Sequence, residues 1–351
     1  MRIVVLLGGT SSERDVSMAS GLRISAALRE RGHDVVTIDT VRGALGTAEE
    51  AALLHGGVMR TLPPDPAALA RLGASTLSKT IGGLTGASDV DVVFLALHGG
   101  QGEDGTIQAM LDLTGVPYTG SGQLASAIAM DKDLSKRLFR DAGVPTPEWT
   151  MLRSGGDVDW KASAFSESVL PSLGLPLIVK PSKEGSTVGL TLVKSVEGLT
   201  GAIEEAFRHD DEVMLEQFIA GRELTVGILG NRALPVGEII PKHELYDYEC
   251  KYTPGMAEEV FPAAITDAQR EEVQDLALRA FRVLKLSGYA RIDFRMAEGG
   301  QFYCLEANTL PGMTELSLIP QAAAADGILF PDLCERIVGL ALRAHSKEES
   351  R

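Results

Sequence analysis

The chain opens on an unbroken apolar run, Ile3 to Leu7, that stops at Gly8-Gly9. Ser12 to Arg14 then leads into an amphipathic helix through about Glu30, and Val35 to Ile38 is the next strand. An apolar run without alternation marks a strand covered on both faces, and strand, helix, strand in that order predicts a parallel sheet. Val90 to Leu97 repeats the apolar pattern and ends in a glycine-rich segment, His98 to Gly105. Between these strands, Val41 to Ala87 is Ala-rich, broken by Pro63-Pro64 and weakly periodic, and reads as helices and loops decorating the first unit. Turn residues from Pro117 to Gly122 mark a boundary. Beyond it the pattern predicts one helix from about Ala125 to Ala142 and a linker at Pro145-Thr146-Pro147. Strands follow at Leu177 to Lys180, Thr191 to Lys194 and Met214 to Phe218, with a helix before the last, and the chain closes on a helix from about Pro331.

A different pattern appears near the C-terminus. From Tyr289 to Met296, Ala290, Ile292, Phe294 and Met296 are apolar on one face, while Arg291, Asp293 and Arg295 lie on the other. Gly299-Gly300 suits a two-residue hairpin turn, and Gln301 to Asn308 returns as the second strand. That turn pairs Glu298 with Gln301, which carries through to Asp293 opposite Glu306 and Arg291 opposite Asn308. Like charges directly opposite on a sheet cost about 0.2 to 1 kcal/mol. A hard cation reverses the sign: two carboxylates and the Asn308 amide oxygen form an all-oxygen half-shell suited to Mg²⁺. The same residues also read as the solvated face of an edge hairpin. Against that, the polar face runs directly into the loop Thr309 to Thr314, which contains Pro311 and Gly312.

The 351 residues are 44% hydrophobic, enough for two or three domains with cores of their own, and the formal net charge is -15. Such an acidic balance argues against nucleic acid or an anionic membrane as partner, so any phosphate site must be local. No stretch approaches the roughly 18 apolar residues of a membrane span and no leader pattern opens the chain, which reads as soluble and cytoplasmic. Cys250, Cys304 and Cys334 are widely spaced without a CxxC, which predicts neither a disulfide framework nor a zinc site.

Four further segments suggest a ligand. Lys180 to Gly189 is a small-residue loop headed by a lysine at a strand end, able to close over a triphosphate with backbone N-H groups while Lys180 neutralises phosphate oxygens. No Gly-Lys dipeptide occurs, which excludes a P-loop. Glu216 and the backbone beside Ile219 suit an adenine amino group, and Glu223 suits ribose hydroxyls. Tyr246 to Tyr252 alternates charged and aromatic residues with no apolar stripe, as a lid over a polar ligand would. Gly100, Gly102 and Gly105 match the dinucleotide spacing, but they follow a late strand, and Glu103 and Asp104 would sit against a pyrophosphate. The loop therefore reads as ligand-adjacent, with an NAD-dependent oxidoreductase as the competing reading.

Taken in order, Gly8 to Ser17, His98 to Gly105, Met130-Asp131-Lys132, Lys180 to Gly189, Tyr246 to Tyr252, Arg291-Ile292-Asp293 and Glu306 to Thr314 resemble D-alanine--D-alanine ligase of the ATP-grasp superfamily. The likeness spans nearly the whole chain. It implies an α/β fold: an N-terminal parallel-sheet, Rossmann-like domain over 1–120, a central ATP-grasp subdomain over 121–219 and a C-terminal ATP-grasp domain over 220–351 carrying the metal and substrate site. The implied reaction joins two D-alanines through an acyl phosphate, releasing ADP and phosphate, with ATP, two Mg²⁺ ions (Mn²⁺ as substitute) and a homodimer. By the resemblance, Glu13 holds the first D-alanine near His98, and Ser186 and Tyr252 link to Glu13 and fasten the loops. Arg291 faces the oxyanion, while Lys132, Lys180, Lys251, Glu216, Ile219 and Glu223 hold the nucleotide. Asp293, Glu306 and Asn308 hold the metal; Gly312 and Ser317 take the second carboxylate. Relatives making a D-alanyl-D-lactate ester carry a different lid residue, commonly histidine, where this chain has Tyr252, which favours the amide; a D-alanine:D-lactate or other dipeptide-forming ATP-grasp ligase is the alternative. Val41 to Ala87 is longer than in the shortest members, and Glu315-Leu316 replaces a Ser-His pair of some members, which bears on the second-substrate pocket.

Overall fold

The Ile3–Leu7 run is buried because its strand, β1 (Arg2–Leu7), lies inside a sheet. β2 (Asp34–Asp39) and β4 (Val92–Leu95) flank it in parallel, and the two-residue β3 (Gly43–Ala44) adds antiparallel to β2, giving the order β3-β2-β1-β4. The helix Arg14–Glu30 makes the crossover. The computed structural model describes residues 1–56, 89–161, 163–253, 255–314 and 316–349, without the side chains of 163, 248, 252 and 347–349. The expectation for Val41 to Ala87 falls within them only as far as the helix Thr47–Gly56.

A second sheet is antiparallel throughout, in the order β5-β8-β6-β7, from β5 (Trp149–Arg153), β6 (Leu177–Pro181), β7 (Thr191–Val193) and β8 (Glu212–Gln217). The third contains β9 (Gly221–Leu229), β10 (Arg232–Ala233), β11 (Gly237–Pro241), β12 (Ala257–Val260), β13 (Tyr289–Ala297) and β14 (Phe302–Asn308), ordered β12-β11-β9-β13-β14 with β10 on β9. Each sheet has its own apolar cluster, but the first is shared. Ile337 and Val338 of the closing helix Phe330–Glu349 pack in the same core as Ile3 and Phe94, so the end of the chain returns to its beginning.

Two expectations are corrected. The helix over Ala125 to Ala142 is two helices, Gln123–Met130 and Lys132–Asp141, because Asp131 is extended and its carboxylate accepts the Leu134 N-H at 3.0 Å as an N-cap. The hairpin turn is also longer than two residues. Ala297 pairs with Gln301, leaving Glu298-Gly299-Gly300 as a three-residue loop with Gly300 at φ 86°. That slip of one residue would put Asp293 opposite Leu305. A bulge at Leu305 restores it: Phe294 faces Cys304, yet Asp293 faces Glu306 and Arg291 faces Asn308.

Candidate active site

The β13–β14 hairpin does lie at the edge of its sheet, but its polar face is covered rather than solvated, so the reading as a solvated face fails: Asp293 is 7% exposed. Its carboxylate accepts from Arg291 Nε and an Arg291 terminal nitrogen at 2.9–3.1 Å, from Thr225 Oγ1 at 2.7 Å and from Asn308 Nδ2 at 2.9 Å. Across the hairpin, Glu306 lies 3.4 Å from Lys132 Nζ. Burial alone would raise the Glu306 pKa, but Lys132, Lys251, Lys180 and Arg291 outweigh it and hold it down at about 2. The repulsion expected between the two carboxylates is thus already answered by fixed cations. As a metal site the donors fit on chemistry: they are oxygens, with Glu306 ionised and Asp293 and Asn308 beside it. Asp293 would exchange part of its present hydrogen bonding for the ion.

Two contiguous chambers meet here. The first, about 940 Å³, is lined by Glu13, His98, Glu103, Arg291, Asn308, Gly312 and Ser317. The second, about 860 Å³, is lined by Lys180, Glu216, Phe218, Ile219, Glu223 and Arg295 together with apolar Ile178, Leu190 and Leu305. Lys132, Glu184, Gly185, Ser186, Tyr246, Lys251 and Glu306 line both and form the passage between them.

In the first chamber Glu13 stands at the N-cap of the helix Arg14–Glu30 but makes no side-chain cap bond. Its carboxylate accepts instead from Ser186 Oγ, and two glycines make room for it: a Cβ on Gly185 or Gly99 would come within 2.6 or 2.8 Å of Glu13 Oε2. Ser186 and Thr187 hold left-handed backbones at φ 48° and 66°, rare for such residues. Thr187 Oγ1 donates to the Tyr246 carbonyl at 3.0 Å, so the Lys180–Gly189 loop is pinned on one side to Glu13 and on the other to the lid. His98 is buried between the Leu310 carbonyl, 2.7 Å from Nδ1, and Ser20 Oγ, 3.2 Å from Nε2; burial lowers its pKa and keeps the ring neutral. A Cβ on Gly312 would lie 2.7 Å from Ser317 Oγ, which is itself bonded to Thr314. The side chain of Tyr252 lies outside the described residues; its backbone ends the short helix Tyr248–Tyr252 that the lid segment forms.

In the second chamber Glu216 is clamped by two ammonium groups, Lys180 at 2.8 Å and Lys136. Burial pushes the Glu216 carboxyl up, but the two lysines win and hold it low. Lys132 Nζ donates to the Glu184 carbonyl at 2.7 Å, and Lys251 lies over the Tyr246 ring. Arg295 bonds the Ile219 carbonyl at 3.0 Å and Glu223 at 3.2 Å, so of the Ile219 groups expected to meet a base the carbonyl is already engaged.

Lys136, Arg295, Thr225 and Glu103 belong to the site although the sequence reading gave them no role. Lys136 had a usable signal, since it follows Lys132 by four residues and so shares its helix face. Glu103 points into the glycine loop itself. Its carboxylate accepts from the Gly99 and Leu310 N-H groups at 2.8 and 3.0 Å, filling the glycine loop of the dinucleotide reading, and burial with Glu13 nearby pushes its pKa up to about 7.

Comparison with known proteins agrees with the fold. Residues 2–121 match the family described as D-ala D-ala ligase N-terminus, and 138–339 match D-ala D-ala ligase C-terminus. Relatives named D-alanine--D-alanine ligase include one from Syntrophotalea carbinolica, 42% identical over 97% of both chains, and one from Aquifex aeolicus, 40% identical over 96% of this chain and 100% of its own. Among solved structures, a D-alanine--D-alanine ligase from Bacillus anthracis complexed with ATP superposes with a TM-score of 0.76 at 33% identity, covering 99% of both chains. The Coxiella burnetii D-alanine-D-alanine ligase does so at 0.78 and 28% identity, covering 100% of this chain and 97% of its own. The architecture is therefore an ATP-grasp fold behind an N-terminal α/β unit, and the chain belongs to the D-alanine--D-alanine ligase family.

Proposed function

We propose that this chain is an ATP-dependent ligase that joins two D-alanines into D-alanyl-D-alanine for peptidoglycan precursor synthesis. The observation that carries the reading is the junction of the two chambers, where Lys132, Lys251 and Glu306 line both. A nucleotide in the apolar-walled chamber, with Glu216 toward the base and Glu223 toward the ribose, sends its terminal phosphate to that junction. An amino acid in the other chamber presents its carboxylate there. Glu13 takes the ammonium of the first D-alanine, whose carboxylate oxygen attacks the γ-phosphorus while the bond to the ADP oxygen breaks.

The reactants repel each other, and Lys132, Lys180, Lys251 and Arg291 offset that repulsion. The amine of the second D-alanine, its carboxylate directed by Ser317 and the backbone at Gly312, then attacks the acyl carbon. Arg291 faces the oxyanion, the amine loses a proton and phosphate leaves. Glu13, Ser186 and the lid, including Tyr252, keep water from the acyl phosphate. Asp293, Glu306 and Asn308 would hold two Mg²⁺ ions, replaceable by Mn²⁺, which would supply Lewis-acid neutralisation of the phosphates.

The division at residues 120 and 219, and a homodimer, rest on the resemblance. A cytoplasmic location follows from the need for ATP; among the described residues no helix is long and apolar enough to cross a membrane. Full-length protein incubated with ATP, Mg²⁺, D-alanine and competing D-lactate tests the reading by mass spectrometry. D-alanyl-D-alanine with ADP is expected; AMP, or nucleotide turnover indifferent to D-alanine, refutes it, and a D-lactate ester would move the chain to the alternative ligase class.

A further inference from the structure

The lid segment between β11 and β12 brings together three side chains that the reaction does not use. We propose that His243, Asp247 and Cys250 form a binding site for a single borderline-soft divalent cation of the zinc class. Spacing between cysteines gave no hint of it, because only one ligand is a cysteine.

The ligand atoms of the three residues, one each, all lie within 4.8 Å of one another. Asp247 is the hub. It caps the helix Tyr248–Tyr252, with Oδ1 accepting the Cys250 N-H at 2.9 Å, and its other oxygen lies 2.7 Å from His243 Nδ1. The first contact holds the Cys250 backbone against the carboxylate, which keeps the thiol within reach of it; the second turns the imidazole nitrogen toward the same carboxylate. In a tetrahedral zinc site with ligand bonds of about 2.0–2.1 Å, nitrogen and oxygen stand about 3.3 Å apart, a separation reached by a small side-chain rotation. Access is open, since the His243 and Asp247 side chains are 39% and 38% exposed while Cys250 closes the inner side.

A nitrogen, a carboxylate oxygen and a sulfur select zinc, cobalt or a similar ion over Mg²⁺, and water supplies the fourth ligand. Binding breaks the Cys250 S-H bond, releasing its proton to solvent, and replaces any proton shared by His243 Nδ1 and Asp247. No oxidant or reductant is needed. Because Lys251 follows Cys250 and lines both chambers, an occupied site ties the approach to the lid helix to the residue at the chamber junction.

Co²⁺ added alone to the full-length, nucleotide-free protein tests this. The expected result is saturable binding of a single ion, with a thiolate-to-cobalt charge-transfer band that Zn²⁺ erases and excess Mg²⁺ leaves intact. Cys250→Ser should abolish the band, and His243→Ala, at an exposed position, should weaken binding at least about tenfold. Amide exchange over residues 243–253 should slow with Zn²⁺ in the unaltered chain only. Absence of the band, its survival in Cys250→Ser, or unchanged affinity in His243→Ala overturns the proposal. Failure of the ligase reading would change catalytic turnover and leave these signals in place.

Discussion

Replacing Glu216 by Gln puts the clamp in the second chamber under a quantitative test. Glu216 is 3% exposed and Lys136 fully buried, so the carboxylate is the counter-ion of two ammonium groups out of water. Deleting one partner of a buried ion pair costs about 3–5 kcal/mol, because the survivor keeps its desolvation penalty. Here the loss has a ceiling. Burial already lowers the Lys136 pKa to about 8 with Glu216 present, so without it Lys136 escapes by shedding its proton near neutral pH. We expect Glu216→Gln to cost about 3 kcal/mol. Lys136→Met removes a charge that burial disfavours and leaves Glu216 its bond to Lys180. The lost charge-assisted hydrogen bond, worth about 1.5–3 kcal/mol, is partly offset by the relieved desolvation, for a net cost of about 1–2 kcal/mol. Urea unfolding followed by tryptophan fluorescence reads both variants. Of the chain's two tryptophans, Trp149 opens β5 of the same sheet, pairs with Glu216, and has its ring centre 5.0 Å from the Lys136 ammonium. The ATP KM of the Gln variant should also rise. A Lys136→Met variant as unstable as Glu216→Gln, or more so, would refute the account of Glu216 as the charge on which both lysines depend.

Further outcomes follow from the same structure. Arg291→Ala should lower kcat by about 10² or more if the guanidinium faces developing charge, measured as D-alanine-dependent ADP release; unchanged turnover would remove it from the chemistry. Arg14→Met should destabilise the first sheet by about 3–5 kcal/mol in thermal or urea unfolding, because it leaves the fully buried Asp39 carboxylate without its bidentate partner. Glu103 sets a pH dependence. Below its ordinary value of 4.5 the carboxyl is protonated folded or unfolded, and from there to about 7 only the folded form holds the proton. Stability should therefore fall as pH rises through that window and level off above it, and Glu103→Gln should flatten this part of the curve. Chelation of divalent ions should abolish turnover, with Mg²⁺ or Mn²⁺ restoring it while Ca²⁺, larger and more loosely coordinated, restores little.

Local pattern carried much of this molecule. The apolar run Ile3 to Leu7 announced a strand covered on both faces, and the alternation from Ala290 to Met296 set which side chains of β13 would share a face, since both signals depend only on near neighbours. The candidate site residues were picked out by their order along the chain, and most of them line the two chambers. What stayed hidden needed packing to decide it. The hairpin loop is a residue longer than Gly299-Gly300 suggests, and the bulge at Leu305 cancels the slip, so Asp293 meets Glu306 through two departures that no period of two encodes. The break at Asp131 turns Lys136 toward Glu216, 80 residues away. Glycines at 99 and 185, remote in sequence, both give way to one carboxylate of Glu13. Sequence by itself determined which residues are apolar, which are charged and what each stretch prefers to become. Tertiary structure decided which of them meet, because the energy of a buried charge or a ligand set depends on partners that the chain brings together only when its sheets close on one another.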